Sequence, residues 1–391
     1  MTSKSRSISI LLIAEVAAMS LWFVSAAILP EMLAERAIST TRQALLSSGV
    51  QAGFVFGALF SATFGLADRF DPRRVFAACA LAAALINASL IFSTPGSIPT
   101  IAARFATGAL LAGVYPLGMK IAVGWGQSDR GFLVGALVGA LTLGSALPHL
   151  IALGGGVDWR VTVGIASAAS ALAGLLVLAA SLGPHHARAT RFDPRVIAAA
   201  WTNRRVRLAY AGYLGHMWEL YAMWAWIGVA AAASYAVHLP DDQAATLAKL
   251  TAFVAIAGGG LICAATGRAA DRIGKARVAM WAMVISGAAA IAATLSFGGP
   301  VWLFFAVAVI WGLAIIPDSA QFSALVADAA PPEQAGSLMT FQTALGFALT
   351  ILTVQATPAL AASFGWPLIF AIMAFGPAFG VVAMLRLQRL G

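Results

Sequence analysis

Charge is scarce in this chain. Asp, Glu, Lys and Arg together make up only 10% of its 391 residues, and hydrophobic residues make up 61%. Soluble domains carry about 25% charged residues, so a water-soluble globular protein is excluded. Cysteine is nearly absent: Cys79 and Cys263 are the only two, and both sit in apolar runs. That excludes a disulfide framework, because free cysteine in such a run is mostly a small buried hydrophobe, and no spacing suits a metal. Nothing resembles a nucleophile constellation. Gly258-Gly259-Gly260 lies inside an apolar run rather than after a strand, so it is no phosphate loop. An enzyme is not expected, nor are a metal or a cofactor.

What is present is a series of long apolar runs. Crossing a bilayer takes about 20 consecutive apolar residues, and spans are expected near 8–30, 43–67, 75–93, 99–123, 131–153, 161–182, 208–237, 245–267, 278–297, 300–326, 335–357 and 364–385. Backbone polar groups cannot be left unpaired in hydrocarbon, so these runs are read as helices. The first run, Ile8 to Pro30, contains Glu15 and is long enough to span, so it is read as a membrane helix rather than a leader. The frequent Gly and Ala suit close helix contacts.

The formal charge is +9. In a soluble chain that would suggest nucleic acid, but these charges occupy short loops between apolar spans, where basic residues meet anionic headgroups. If both termini are inside, the outer loops retain only Arg36, Arg42, Arg160 and Lys249, and Arg104 and Lys120 lie within a span. The rest of the 24 basic residues fall on the inner side. That bias predicts an even number of spans, both termini cytoplasmic, in an inner (plasma) membrane of bacterial type.

The longest polar stretch, Pro184 to Arg207, divides the chain near its middle, and the two parts repeat. Gly65-Leu66-Ala67-Asp68-Arg69 is answered by Arg268-Ala269-Ala270-Asp271-Arg272, Trp22 by Trp224, Pro116 by Pro317 and Gly131 by Gly336. The offset is close to constant at about 200 residues, as in a duplicated unit. The expected architecture is an all-α membrane protein of twelve transmembrane helices in two six-helix pseudo-repeats. Residues 1–183 and 208–391 would form the two bundles, and 184–207 a cytoplasmic linker. Paired repeats of this kind place a substrate site between the halves near the midplane.

An ionisable group in hydrocarbon costs at least about 2.5–3.5 kcal/mol, so such groups face a cavity or a partner. The span interiors hold Glu15 in the first helix, Arg104 and Lys120 in the fourth, His216 and Glu219 in the seventh, and Asp318 in the tenth; His149 lies near the outer end of the fifth. By depth, Glu15, Lys120, His216, Glu219 and Asp318 are read as one polar cluster, with Arg104 apart from it. Lys120 either binds a substrate anion or neutralises a carboxylate. Glu15 is a candidate proton carrier, with Glu219 and Asp318, or else one half of a static ion pair. Trp218 and Tyr221 flank Glu219, an aromatic wall that would suit a flat or cationic solute. Tyr115-Pro116 and Ile316-Pro317 interrupt two helices at matching places, which brings Tyr115 and Gln321 into the candidate substrate site.

With these residues in hand, the sequence resembles the major facilitator superfamily. That family carries a G-x-L-A-D-R-x-G-R-R signature between helices two and three and a weaker copy between eight and nine. Here the second copy, Gly267-Arg268-Ala269-Ala270-Asp271-Arg272-Ile273-Gly274-Lys275, is the cleaner. The first reads Phe64 to Arg74, lacks the leading glycine, and has Asp71-Pro72 where the second glycine would stand. Arg104 with Thr107-Gly108 resembles the family's R-x-x-x-G element, which implies a structural or proton-network role for Arg104. The resemblance implies a twelve-helix carrier working by alternating access, with helices 1, 4, 7 and 10 lining the cavity. It also implies that Asp68, Arg69, Asp271 and Arg272 act as conformational latches. Gly135, Gly139, Gly144 and Pro148 faintly resemble the glycine-proline motif of drug–proton antiporters, and the absence of arginine inside helices 2 and 8 argues against nitrate.

The leading expectation is a monomeric, proton-linked carrier of a small organic solute, an anion by reason of Lys120. The rivals are an antiport exporter of amphipathic or cationic compounds and a non-transporting sensor or scaffold.

Overall fold

The computed structural model describes residues 3–64, 69–126, 129–154, 158–185 and 198–390. Glycine and alanine leave the helices room to pack closely, and every described element is helical. In chain order the long segments are α1 (Ser3–Glu35), α2 (Thr40–Phe64), α3 (Pro72–Phe92), α4 (Ile98–Val123), α5 (Arg130–Gly154) and α6 (Trp159–Ala179). They continue with α7 (Arg204–Tyr235), α8 (Asp241–Ile273), α9 (Lys275–Ser296), α10 (Val301–Ala329), α11 (Pro332–Phe364) and α12 (Trp366–Gln388). Among the described residues, 11 helices are long and apolar enough to cross a membrane. The segment outside that set is α7: its 32 residues suffice in length, but His216, Glu219 and its tryptophans and tyrosines dilute the apolar run.

Packing repeats six segments on. α2 lies on α4 as α8 lies on α10, α3 on α6 as α9 on α12, and α1 on α5 and α6 as α7 on α11 and α12. With α1–α6 and α7–α12 called the two halves, two seams join them, α5 against α8 and α2 against α11. The first seam explains Gly135 and Gly139 of the fifth span. A Cβ on Gly139 would come within 2.7 Å of the Gly260 carbonyl oxygen, and one on Gly260 within 2.9 Å of that of Gly139. Only hydrogen at both positions permits this approach.

The expected interruptions are present. α4 unwinds over Ala112–Val114 and restarts at Tyr115 with Pro116 in its first turn, and α10 breaks between Ile315 and Ser319, around Pro317. α1 is also broken, over Ser20–Phe23, where no proline or glycine marks it.

The two loop signatures differ for a local reason. Gly274, between α8 and α9, has φ +97, a conformation open to glycine. In the first copy Asp71 replaces that turn with a side-chain cap, accepting from the Arg73 backbone N–H, and Pro72 opens α3. Arg73 also donates to both Asp71 oxygens and holds that carboxyl below the usual carboxylate range. Its Nη1 reaches the Ala180 carbonyl at 3.0 Å and ties the loop to the end of α6. Of the expected latch residues, Asp68 lies outside the described residues and Arg69 is exposed. Asp271 and Arg272 are exposed, with no ion-pair partner among the described residues. Pairs at this end form within each half instead: Lys4 with Asp129 at 2.7 Å, and Lys275 with Asp328.

Candidate functional site

Of the ionisable groups in the spans, His216 and Asp318 are in direct contact, and Glu15, Glu219 and Arg104 each have other neighbours. Glu15, on α1, is fully buried, and neither carboxyl oxygen has a hydrogen-bond partner among the described residues. It packs against the restarted part of α4, so closely that a Cβ on Gly118 would come within 2.5 Å of Oε2. Tyr115, half-buried at that restart, is within electrostatic reach of Glu15 on one side and of Tyr213 and Cys263 of the other half on the other. The break at Pro116 thus carries the tyrosine to the boundary between the halves.

Across that boundary, α7 presents His216 and Glu219, one turn apart. His216 Nδ1 lies 2.9 Å from Asp318 Oδ1, both groups buried, and Asp318 occupies the break in α10. Glu219 is held inside its own half, accepting from Ser286 Oγ of α9 at 2.6 Å and from Trp311 Nε1 of α10 at 3.0 Å. Gln321 is buried one turn beyond Asp318. Lys120 is half-buried and engaged by a neighbour. Trp218 turns towards α12, its indole N–H donating to the Ile372 carbonyl at 3.0 Å. Tyr221 takes the other direction, towards α1.

Tyr221 belongs to an aromatic contact between the halves. Its ring centroid lies 5.7 Å from Trp22, 5.1 Å from Phe347, 5.6 Å from Trp224 and 5.9 Å from Phe23, with which it stacks. Phe54 of α2 closes the group, 5.0 Å from Trp22 and 4.6 Å from Phe347. Sequence reasoning used Trp22 only as a repeat landmark and passed over Phe54 and Phe347, because a phenylalanine in an apolar span looks like any other. Ser286 and Trp311 were missed for the same reason.

Arg104 has a different set of partners. Its guanidinium donates to Asn87 Oδ1 at 2.8 Å and to the carbonyls of Leu21 and Trp22 at 2.8 and 2.7 Å. These carbonyls belong to the unwound turn of α1, so Arg104 replaces the helical bonds lost there.

At the end of the bundle far from the termini, Lys249 of α8 pairs with Glu31 of α1, and Gln355 of α11 accepts from Ser48 Oγ of α2 at 2.8 Å. Both contacts join the halves. Lys249 therefore lies on a helix rather than in a loop, and opposite charges at the ends of the first and eighth spans were the available signal for the pair. Within the first half at that end, Arg160 and Trp159 donate to Glu35.

The family model described as Major Facilitator Superfamily matches residues 10–265, more than half of the sequence. The chain belongs to the major facilitator superfamily. It is therefore a secondary transporter and a multi-pass membrane protein. The crystal structure of a point mutant of the nucleoside transporter NupG superposes with a TM-score of 0.71, covering 98% of this chain and 99% of that one at 14% identity. That likeness supports the superfamily fold. No curated protein matches the sequence.

Proposed function

We propose that the chain is a proton-coupled carrier of a small organic solute, working by alternating access of two six-helix halves, residues 1–183 and 208–391, joined by 184–207. In this reading α7 is the twelfth span, and the recurring packing reflects a duplicated unit. The observation that carries it is Glu15: a carboxyl fully buried beside the boundary between the halves, without a hydrogen-bond partner among the described residues. Glu219 and Asp318 stand across that boundary, each with its described partners in its own half.

The solute's charge follows from the same groups. Arg104 is consumed by backbone carbonyls and Lys120 is already engaged, while three carboxyls, Glu15, Glu219 and Asp318, lie buried in the bundle. This balance favours a neutral or cationic solute over an anion. The deciding measurement is solute-induced proton flux in proteoliposomes. Lys120→Ala is expected to leave the dissociation constant within a factor of two or so. A rise of tenfold, about 1.4 kcal/mol, would restore the anion reading with Lys120 as its anchor. Absence of any solute-induced proton movement would favour a sensor or scaffold. In the same assay Asp271→Asn is expected to lower turnover while leaving affinity unchanged, as a latch remote from the cavity would; an unaltered rate would remove it from gating.

Both termini and the 184–207 stretch are assigned to the cytoplasm of a bacterial-type cell. With Cys79 and Cys263 replaced by alanine, Ser5→Cys and Gln388→Cys are expected to resist an impermeant thiol reagent in intact cells, while Ala37→Cys is labelled. Labelling of either terminal position would overturn the topology.

A further inference from the structure

The aromatic contact between the halves contains polar groups that no described residue satisfies. Trp22 and Trp224 are buried at 2% and 0% exposure, and neither indole N–H has an acceptor among the described residues. Gln51, 1% exposed, leaves both its amide nitrogen and its carbonyl oxygen without a partner there. It lies one turn from Phe54 on α2, and Phe54 touches the Trp22 ring. A buried polar group left unpaired costs about 1–3 kcal/mol, and here such groups come from α1, α2 and α7, on both sides of the boundary. The other tryptophans that reach into the C-terminal half behave differently: Trp218, Trp226 and Trp311 each donate to an acceptor. Among the described residues, the buried indoles left unpaired are those of the cluster itself.

We infer that this cluster seats the carried solute, and that the solute is a planar nitrogen heterocycle without negative charge. Its ring faces would lie against Trp22, Tyr221 and Phe347. Its carbonyl or ring-nitrogen acceptors would take the N–H of Trp22 and Trp224, and one edge offering both a donor and an acceptor would meet the Gln51 amide. Stacked aromatic pairs contribute about 0.5–1.5 kcal/mol beyond burial, and every hydrogen-bonding group involved is neutral. A carboxylate on the ring would be an uncompensated charge among these neutral groups, which include no cation. The inference rests on the carrier reading above and adds the solute class.

The test uses purified full-length protein in nanodiscs, with uracil and nicotinamide as neutral probes and nicotinate as the charged counterpart of nicotinamide, read by calorimetry. At least one neutral probe is expected to bind and nicotinate is not. Trp22→Phe, which keeps a ring and the backbone carbonyl that Arg104 holds, and Gln51→Leu are each expected to weaken binding about tenfold. No binding by either neutral probe at millimolar concentration overturns the inference, as does binding that both variants leave unchanged. Proton flux driven by a broader solute set in proteoliposomes is read separately. If some other solute moves protons while the heterocycles fail, the carrier reading stands and the solute class falls.

Discussion

Glu15→Gln is expected to abolish accumulation driven by a pH gradient while leaving solute counterflow intact. Glutamine reproduces the shape and neutrality of a protonated glutamate, so the contact with Gly118 survives the substitution. It cannot give up a proton. An unpaired carboxylate at this place would cost at least about 2.5–3.5 kcal/mol, so the buried, unpartnered arrangement of Glu15 calls for the proton or an equivalent positive charge. Net transport must then reload or release that proton each cycle, whereas exchange of solute for solute needs no net proton movement. The expected effect is loss of concentrative uptake to the level of protein-free liposomes. The contrast with Glu219→Gln sharpens the assignment: Ser286 and Trp311 already donate to Glu219, so that variant should change solute handling or stability before coupling. Glu15→Gln that still accumulates solute on a pH gradient would place the coupling proton elsewhere, with the His216–Asp318 pair first in line.

Arg104→Ala should produce the largest loss of stability of any single substitution in the first half. The guanidinium is fully buried and ties α4 to two further elements: α1 through the Leu21 and Trp22 carbonyls, and α3 through Asn87. Asn87 in turn donates to Ser167 of α6 at 2.9 Å. Hydrogen bonds to a charged group are worth about 1.5–3 kcal/mol each, and orphaned buried carbonyls add their desolvation cost. The expected outcome is a loss of several kcal/mol, seen as a sharp drop in folded yield and in the midpoint of thermal unfolding in detergent. Arg104→Lys should recover only part, since an ammonium cannot spread over three acceptors as the planar fork does. An Arg104→Ala protein that unfolds at the original temperature but no longer couples protons would move Arg104 from scaffold to proton network.

The depth of Arg104 shows where sequence reading succeeds. A charge inside an apolar run is conspicuous because hydrocarbon penalises it, so Glu15, Arg104, His216, Glu219 and Asp318 all stood out. What each one touches was not legible. Grouping by depth suggested one polar cluster, yet Glu219 is bonded within its own half, His216 pairs with Asp318, and Glu15 packs against α4. Azimuth around a helix decides this, and it depends on how neighbouring helices are rotated. Trp218 and Tyr221 are close in the run but serve different neighbours, α12 and α1.

Composition and period alone determined that this is a helical membrane protein, because lipid tolerates only long apolar segments whose backbone bonds are internal. Proline marked the breaks in α4 and α10, since it removes a helical hydrogen bond wherever it stands. The break in α1 carries no such residue, and only the packed structure shows it, because Arg104 supplies its compensation from another helix. The same holds for the boundary between the halves. Trp22, Phe54, Tyr221 and Phe347 come from four helices, and Glu31 and Lys249 lie 218 positions apart. Their meeting is a property of tertiary packing, which brings together groups whose local sequence signals are those of ordinary apolar spans and loop charges.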